Sequence, residues 1–266
     1  MLVVAMFVVV LAIVATANVG LVVGCVGRQR INRVRRRPEI LYTRLIEIAP
    51  YLGVIIAVLL INKGINDTVA LFARRNGVEA TALFYAIEGD FVAWFQSLFP
   101  DVALPYFGVI YILGYVVLLT FPVVAYLFAA DAKPFKLLTT AYTVNYAVAI
   151  VAYTTVLAYG PRVYSADVSH GLIELFPEIT GLLALANSAE NVFPSLHTSM
   201  AVTVFLIARQ TETAFPRWTP IAAFLSINVV VSTMALGIHW LIDVLAGILL
   251  AVGSVTAANH WLSSRQ

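Results

Sequence analysis

Charge is what this sequence has least of. Only 11% of its 266 residues are Asp, Glu, Lys or Arg, and 61% are hydrophobic. A soluble globular domain carries about a quarter charged residues, so this shortage excludes a chain solvated by water and leaves lipid as its solvent. Cysteine is nearly missing as well: Cys25 stands alone, which excludes an intrachain disulfide. Internal repeats, low-complexity segments and linkers long enough to divide domains are all missing. No basic residue precedes Val26, although a secretory leader needs one at its start. The string Val22-Val23-Gly24-Cys25 is only loosely like a lipoprotein cleavage site, so an anchor helix is expected there. A net charge of +2 gives no ground for a nucleic-acid partner.

What the chain has in plenty is apolar runs. A spanning helix needs about 20 largely apolar residues to cross roughly 30 Å of hydrocarbon. Seven stretches qualify or nearly so: residues 2–26, 45–61, 104–130, 137–159, 194–208, 220–236 and 239–262. The last two almost touch, and a single helix of their joint length would be about twice the membrane thickness. A tight turn near Gly237 is therefore expected between them. The stretch 194–208 is short, about 22 Å of helix. Either it continues through Thr211 to Ala214, or His197 lies recessed below the headgroups.

The few basic residues orient these spans. Cytoplasmic loops close to span ends carry the excess of Lys and Arg. After the first span come Arg28, Arg30, Arg33, Arg35, Arg36, Arg37 and Arg44, with Glu39 the one acid among them. That loop is read as inside, which places the amino terminus outside. Lys133 and Lys136, Arg209 and Arg217, and Arg265 then all fall inside, so the carboxyl end is cytoplasmic. Residues 62–103, residues 160–193 and the turn at Gly237 fall outside. Within the first of these, Phe84, Ile87, Phe91, Trp94, Phe95 and Leu98 recur at helical spacing, while Glu88, Gln96 and Ser97 lie off that stripe. A helix lying in the interface is expected over residues 83–99, packed on the bundle or serving as a lid over a lipid headgroup. The expected organisation is residues 1–61 for two membrane helices and a basic cytoplasmic loop, 62–103 for the outer loop, and 104–266 for a catalytic membrane core.

The outer regions hold the chemistry. His239 and Asp243 are four apart, one turn of helix on one face. Asp243 can accept a hydrogen bond from one ring nitrogen and leave the other a better nucleophile. An ionisable group within the apolar zone is a functional hypothesis by default. Ser195 and His197 follow Pro194, a residue favoured in a helix's first turn. Free N–H groups at such an end suit phosphate, and His197 is placed to protonate a leaving oxygen. Arg162, in the loop before both, carries a planar fork suited to phosphate oxygens. His260 lies about 31 Å of helix beyond His239 and cannot join them. His170 has no partner pattern.

The run Pro194-Ser195-Leu196-His197-Thr198, followed by Ser232, His239 and Asp243 at the spacing of SRxxxxxHxxxD, resembles the type-2 phosphatidic acid phosphatase superfamily. The other signatures of that superfamily are KxxxxxxRP and PSGH. The resemblance covers roughly residues 104–262 and leaves the first two spans outside. The apolar runs and the outer stripe together give an all-α polytopic membrane bundle of about seven spans with an interfacial amphipathic helix, and the resemblance implies a six-helix phosphatase-type core within it. It further implies His239 as nucleophile forming a phosphohistidine, Asp243 as its orienter, His197 as acid, and Arg162 and Ser195 as phosphate holders, with no metal and no cofactor. The implied substrate is a lipid phosphate or phospholipid. Thr233 stands where the third signature has arginine, and Leu196 where the middle one has glycine. Thr155 occupies the lysine position of the first, and Arg162 follows Pro161 where that signature has arginine before proline. Gly160-Pro161-Arg162 is similar to an element of the inositol phosphorylceramide synthase-like branch, which moves a headgroup between lipids. Less positive charge for a trianionic transition state favours a diester or diphosphate substrate.

The expectation is an integral membrane lipid phosphatase or headgroup phosphotransferase acting at the outer face. The alternative is a transporter or permease whose polar residues line a path. Against it, the polar residues gather at one surface, whereas transport sites lie near the bilayer midplane. An intramembrane protease using Ser195 is a third reading, opposed by the Pro-Ser helix start and the lack of a glycine beside the serine.

Overall fold

The computed structural model describes residues 2–170 and 192–265. The architecture is all-α, a polytopic helix bundle whose one sheet among the described residues is a pair of two-residue strands. In chain order come α1 (Leu2–Leu21), α2 (Arg28–Arg36), α3 (Glu39–Asn76), α4 (Thr81–Glu88), α5 (Phe91–Ser97), α6 (Leu104–Val109), α7 (Tyr115–Ala125), α8 (Lys133–Thr155), α9 (Pro161–Tyr164), α10 (Leu196–Gln210), α11 (Trp218–Ala235) and α12 (Leu241–Ser263). A π-type turn, Ile110–Gly114, joins α6 to α7 in one span.

Among the described residues, six segments are long and apolar enough to cross a bilayer: Ala5–Val26, Glu39–Ile65, Asp101–Phe128, Lys133–Thr155, Trp218–Ala235 and Leu241–Ser263. They answer to six of the seven expected spans. The remaining one is α10, which ends at Gln210 and does not continue to Ala214. α10 packs against α8, α11 and α12 at the bundle's centre. Lipid cannot drive apolar helices together, so small residues and interhelical hydrogen bonds hold them. The Asn145 amide donates to Thr203 (3.1 Å) and accepts from the Ser199 hydroxyl. Ser226 donates to the Ala201 carbonyl at 2.7 Å and Thr219 to that of Ala208 at 3.1 Å.

The bundle has two chemically distinct ends. At one, the Arg30 guanidinium binds the Ala214 carbonyl and lies over Phe215, Arg217 donates to the Gly24 carbonyl, Arg44 to that of Ala130, and Lys136 pairs with Glu47 at 2.8 Å. At the other, β1 (Val78–Glu79) pairs in parallel with β2 (Val156–Leu157), and the chain turns from α11 into α12.

Two expectations need correction in detail. The helix of the second span outlasts its apolar run: the candidate span ends at Ile65, whereas α3 runs unbroken from Glu39 to Asn76 with Pro50 inside it. The stretch 83–99 is two short helices, α4 and α5, separated by a turn at residues 89–90. That turn rotates the expected stripe. Phe84 is buried, but Ile87, Trp94 and Leu98 are 65%, 55% and 54% exposed, and Val92 is the buried residue of α5 at 1%.

Candidate active site

Three loops meet at the end of the bundle away from the basic residues. The first is the turn between α11 and α12. Gly237 closes α11 with φ +64°, a conformation that costs glycine nothing. A side chain there would strike Val168 at 2.7 Å and the Gln96 amide at 3.1 Å. The N–H groups of Ile238 and His239 both donate to the Thr233 carbonyl, at 2.9 and 3.2 Å, which fixes the backbone ahead of α12. The Asp243 carboxylate then reaches back to accept the Trp240 N–H at 2.9 Å, the reciprocal half of a helix cap. The same oxygen, Oδ2, lies 3.3 Å from His239 Nδ1. One carboxylate oxygen therefore starts the helix and orients the imidazole. His239 is 3% exposed and Asp243 0%. His239 Nε2 and Asp243 Oδ1 are buried without a hydrogen-bond partner among the described residues.

The second loop leads into α10. Ser195 is its cap: the hydroxyl accepts the Thr198 N–H at 3.3 Å and donates to Thr198 Oγ1 at 3.0 Å. The Ser195 N–H donates to the Asp243 carbonyl at 3.0 Å, and Tyr153 donates its hydroxyl to the Pro194 carbonyl. This docking is possible because α12 presents Gly247 there, where a Cβ would stand 2.6 Å from the Ser195 carbonyl oxygen. His197 is brought to His239 with ring centroids 6.3 Å apart. Its ring lies between Tyr111 (4.6 Å) and Tyr115 (4.5 Å), and the Tyr111 hydroxyl is 3.5 Å from Nδ1. Leu196, where the family signature has glycine, packs on the main core.

The third loop carries Arg162, whose N–H donates to the Gly237 carbonyl at 3.1 Å. Desolvation by burial pushes the guanidinium below its ordinary value, yet arginine stays charged at neutral pH. The Thr233 hydroxyl returns to the Val230 carbonyl, so that position supplies no second cation.

The structure thus gathers all five expected residues at one end: His239 on Asp243 with its ring 6.3 Å from that of His197, Arg162 bonded through its N–H to Gly237, and Ser195 with its hydroxyl turned into the helix cap. Sequence reasoning missed four supports. Tyr111 and Tyr115 hold His197. Glu88 accepts the N–H groups of Leu241 (2.9 Å) and Ile242 (2.5 Å), the first residues of α12. Gln96 donates to the carbonyls of Ser169 and Ala235 and accepts the Ser169 N–H. Asn191 and residues 171–190 of the expected outer loop lie outside the described residues.

Comparison with known families matches residues 81–257 to the PAP2 superfamily. No curated protein and no solved structure matches the chain significantly.

Proposed function

The chain belongs to the PAP2 superfamily, which the match shows over well more than half of its 266 residues, and from that premise we propose that it cleaves or transfers a lipid phosphate through a phosphohistidine. The observation that carries this reading is the pairing of two imidazoles, 6.3 Å apart, beside one guanidinium. A reacting nucleophile stands about 3–3.5 Å from its target, and a general acid about 3 Å from the oxygen it protonates. Rings at that spacing both reach a single tetrahedral phosphate.

His239 Nε2 attacks phosphorus while Nδ1–H donates to Asp243, which stabilises the cation that forms on the ring. The P–O bond to the leaving group breaks, and His197 gives that oxygen its proton. Arg162 neutralises charge on the equatorial oxygens. Water, or the hydroxyl of a second lipid, then attacks phosphorus, gives its proton back to His197, and releases the N–P bond. Water yields hydrolysis and the hydroxyl yields headgroup transfer. Ser195 contacts a phosphate oxygen only by rotating its hydroxyl away from Thr198. The Thr233 substitution leaves Arg162 as the cation of the signature positions, which suits a diester or diphosphate and fits the inositol phosphorylceramide synthase-like likeness of residues 160–162. By the charge rule for loops, the basic end faces the cytoplasm and the site opens to the outer leaflet.

The test is His239→Ala in the purified full chain, with phosphatidic acid, a lipid diphosphate and a headgroup-labelled phospholipid as substrates. Loss of product release, with the fold intact by size exclusion, is the expected result. Wild-type turnover in that variant overturns the assignment. Free phosphate, free headgroup or a new lipid identifies the reaction.

A further inference from the structure

The second polar feature of the molecule lies at the opposite end, on α2. Its sequence places Gln29, Asn32, Arg33 and Arg36 at successive intervals of three, one and three, a single face of α2, and Arg37 follows directly as the cap that ends the helix. The structure confirms the face: these five side chains line one hollow of about 520 Å³. The other face looks inward. Ile31 packs on the main core, and Arg30 ties the helix to Ala214 and Phe215. The hollow has three guanidinium groups and two amides but no carboxylate. The hollow at the start of α3, by contrast, contains Glu39 and Glu47 as well as Arg44. α2 also begins two residues after one candidate span ends, at Val26, and ends three residues before the next begins, at Glu39. Both flanking helices hold it at the level where lipid headgroups stand.

We infer that the hollow lined by Arg33, Arg36 and Arg37 at the end of α2 is a binding site for the headgroup of an anionic phospholipid in the leaflet beside it. Guanidinium forks match phosphate oxygens in pairs, and the two amides supply donors to the glycerol or headgroup hydroxyls. Juxtamembrane arginines attract anionic lipid by roughly a fivefold gain in affinity each, so the three together are worth roughly a hundredfold. This site is independent of the phosphate chemistry at the other end. It anchors the bundle at its basic end and does not process the lipid it holds.

The test uses the full chain in detergent, with His239→Ala throughout so that no lipid is consumed. Dioleoyl phosphatidylglycerol or dioleoyl phosphatidylcholine is titrated in, and bound lipid is counted by native mass spectrometry. The parent chain is expected to retain phosphatidylglycerol over phosphatidylcholine. Added Arg33→Gln, Arg36→Gln and Arg37→Gln should weaken retention roughly a hundredfold. The corresponding lysine triple, which keeps the charge, should lose far less. If the glutamine triple fails to fold, Arg36→Gln alone should show roughly a fivefold loss. Arg28→Gln with Arg35→Gln removes two charges from the same helix off the groove and should change little. Unchanged retention in the groove variants overturns the site. An equal loss from the off-groove pair overturns it too, by showing a diffuse field. Displacement of the lipid by millimolar inorganic phosphate overturns the lipid as occupant.

Discussion

Gly247→Ala is the sharpest probe of how the site is assembled. The glycine lies one turn beyond Asp243 on α12, against the start of α10. An alanine Cβ would stand 2.6 Å from the Ser195 carbonyl oxygen, 3.1 Å from Thr198 Cβ and 3.3 Å from the Ser199 nitrogen. Two of these are backbone atoms, which cannot rotate away. Carbon settles against a carbonyl oxygen at about 3.3–3.6 Å, so α10 and α12 must part by about 0.7–1 Å. Overpacking of this kind costs about 1–3 kcal/mol, which a bundle of this size survives. The parting falls between the helix that carries His197 and the one headed by His239 and Asp243. A misplacement of about 1 Å at reacting groups costs about 100-fold in rate. We expect kcat on a lipid phosphate to fall by about that factor while KM changes little and the protein still elutes as wild type. Gly253→Ala is the control, since a Cβ there meets nothing within 4 Å, and its activity should equal wild type. Wild-type kcat in Gly247→Ala would show that the two helix ends do not set the histidine spacing.

Further outcomes follow from the same geometry. Asp243→Asn keeps the volume but removes the carboxylate shared by His239 and Trp240, and kcat should fall by about 10²–10⁴-fold; a loss under tenfold contradicts its orienting role. Arg162→Lys keeps the charge but not the fork, so kcat/KM should drop by about 10–100-fold, and an unchanged value would remove Arg162 from the site. Glu88→Ala strips the acceptor from the first turn of α12 and should lower stability by about 1 kcal/mol in thermal melts. Glu88 also gives a pH signature: desolvation raises its carboxyl above the ordinary 4.5, against the pull of the Leu241 and Ile242 N–H groups. A raised value in the fold means that folding favours the protonated acid. Stability is therefore fullest below 4.5 and declines as pH rises through the raised value. Glu88→Gln should flatten that slope, and parallel melting curves for variant and wild type would refute it.

The legible part of this molecule was the part written in neighbouring residues. His239 and Asp243 announce their pairing by a four-residue step, Ser195 its cap by following Pro194, and Gly237 its turn by separating two apolar runs. The supports that escaped notice act across long separations. Tyr111 precedes His197 by 86 residues and Glu88 precedes Leu241 by 153, and no periodicity links them. The π-type turn that carries Tyr111 leaves no mark in an apolar run. The over-run of α3 has another cause. Hydropathy reports where lipid ends, whereas a helix ends where its hydrogen bonds do, and α3 keeps them to Asn76. The stripe on residues 83–99 failed because periodicity assumes one axis, and the turn at 89–90 supplies two.

The buried polar atoms of the turn between α11 and α12 agree with the proposed phosphate chemistry. A buried polar atom with no partner costs about 1–3 kcal/mol, and folded proteins keep few of them. Among the described residues His239 Nε2 and Asp243 Oδ1 are two such atoms on one turn, with the half-buried Arg162 held by its N–H on the Gly237 carbonyl two residues away. The turn is anchored besides by Trp240, whose indole N–H donates to the Tyr159 carbonyl at 2.9 Å. The orientation of His239 is secured on its Nδ1 side alone. An electrophilic centre of an anion would meet the free face of His239 Nε2 and the Arg162 guanidinium together. The basic residues of α2 cannot play this part, because the bundle's length separates them from the site.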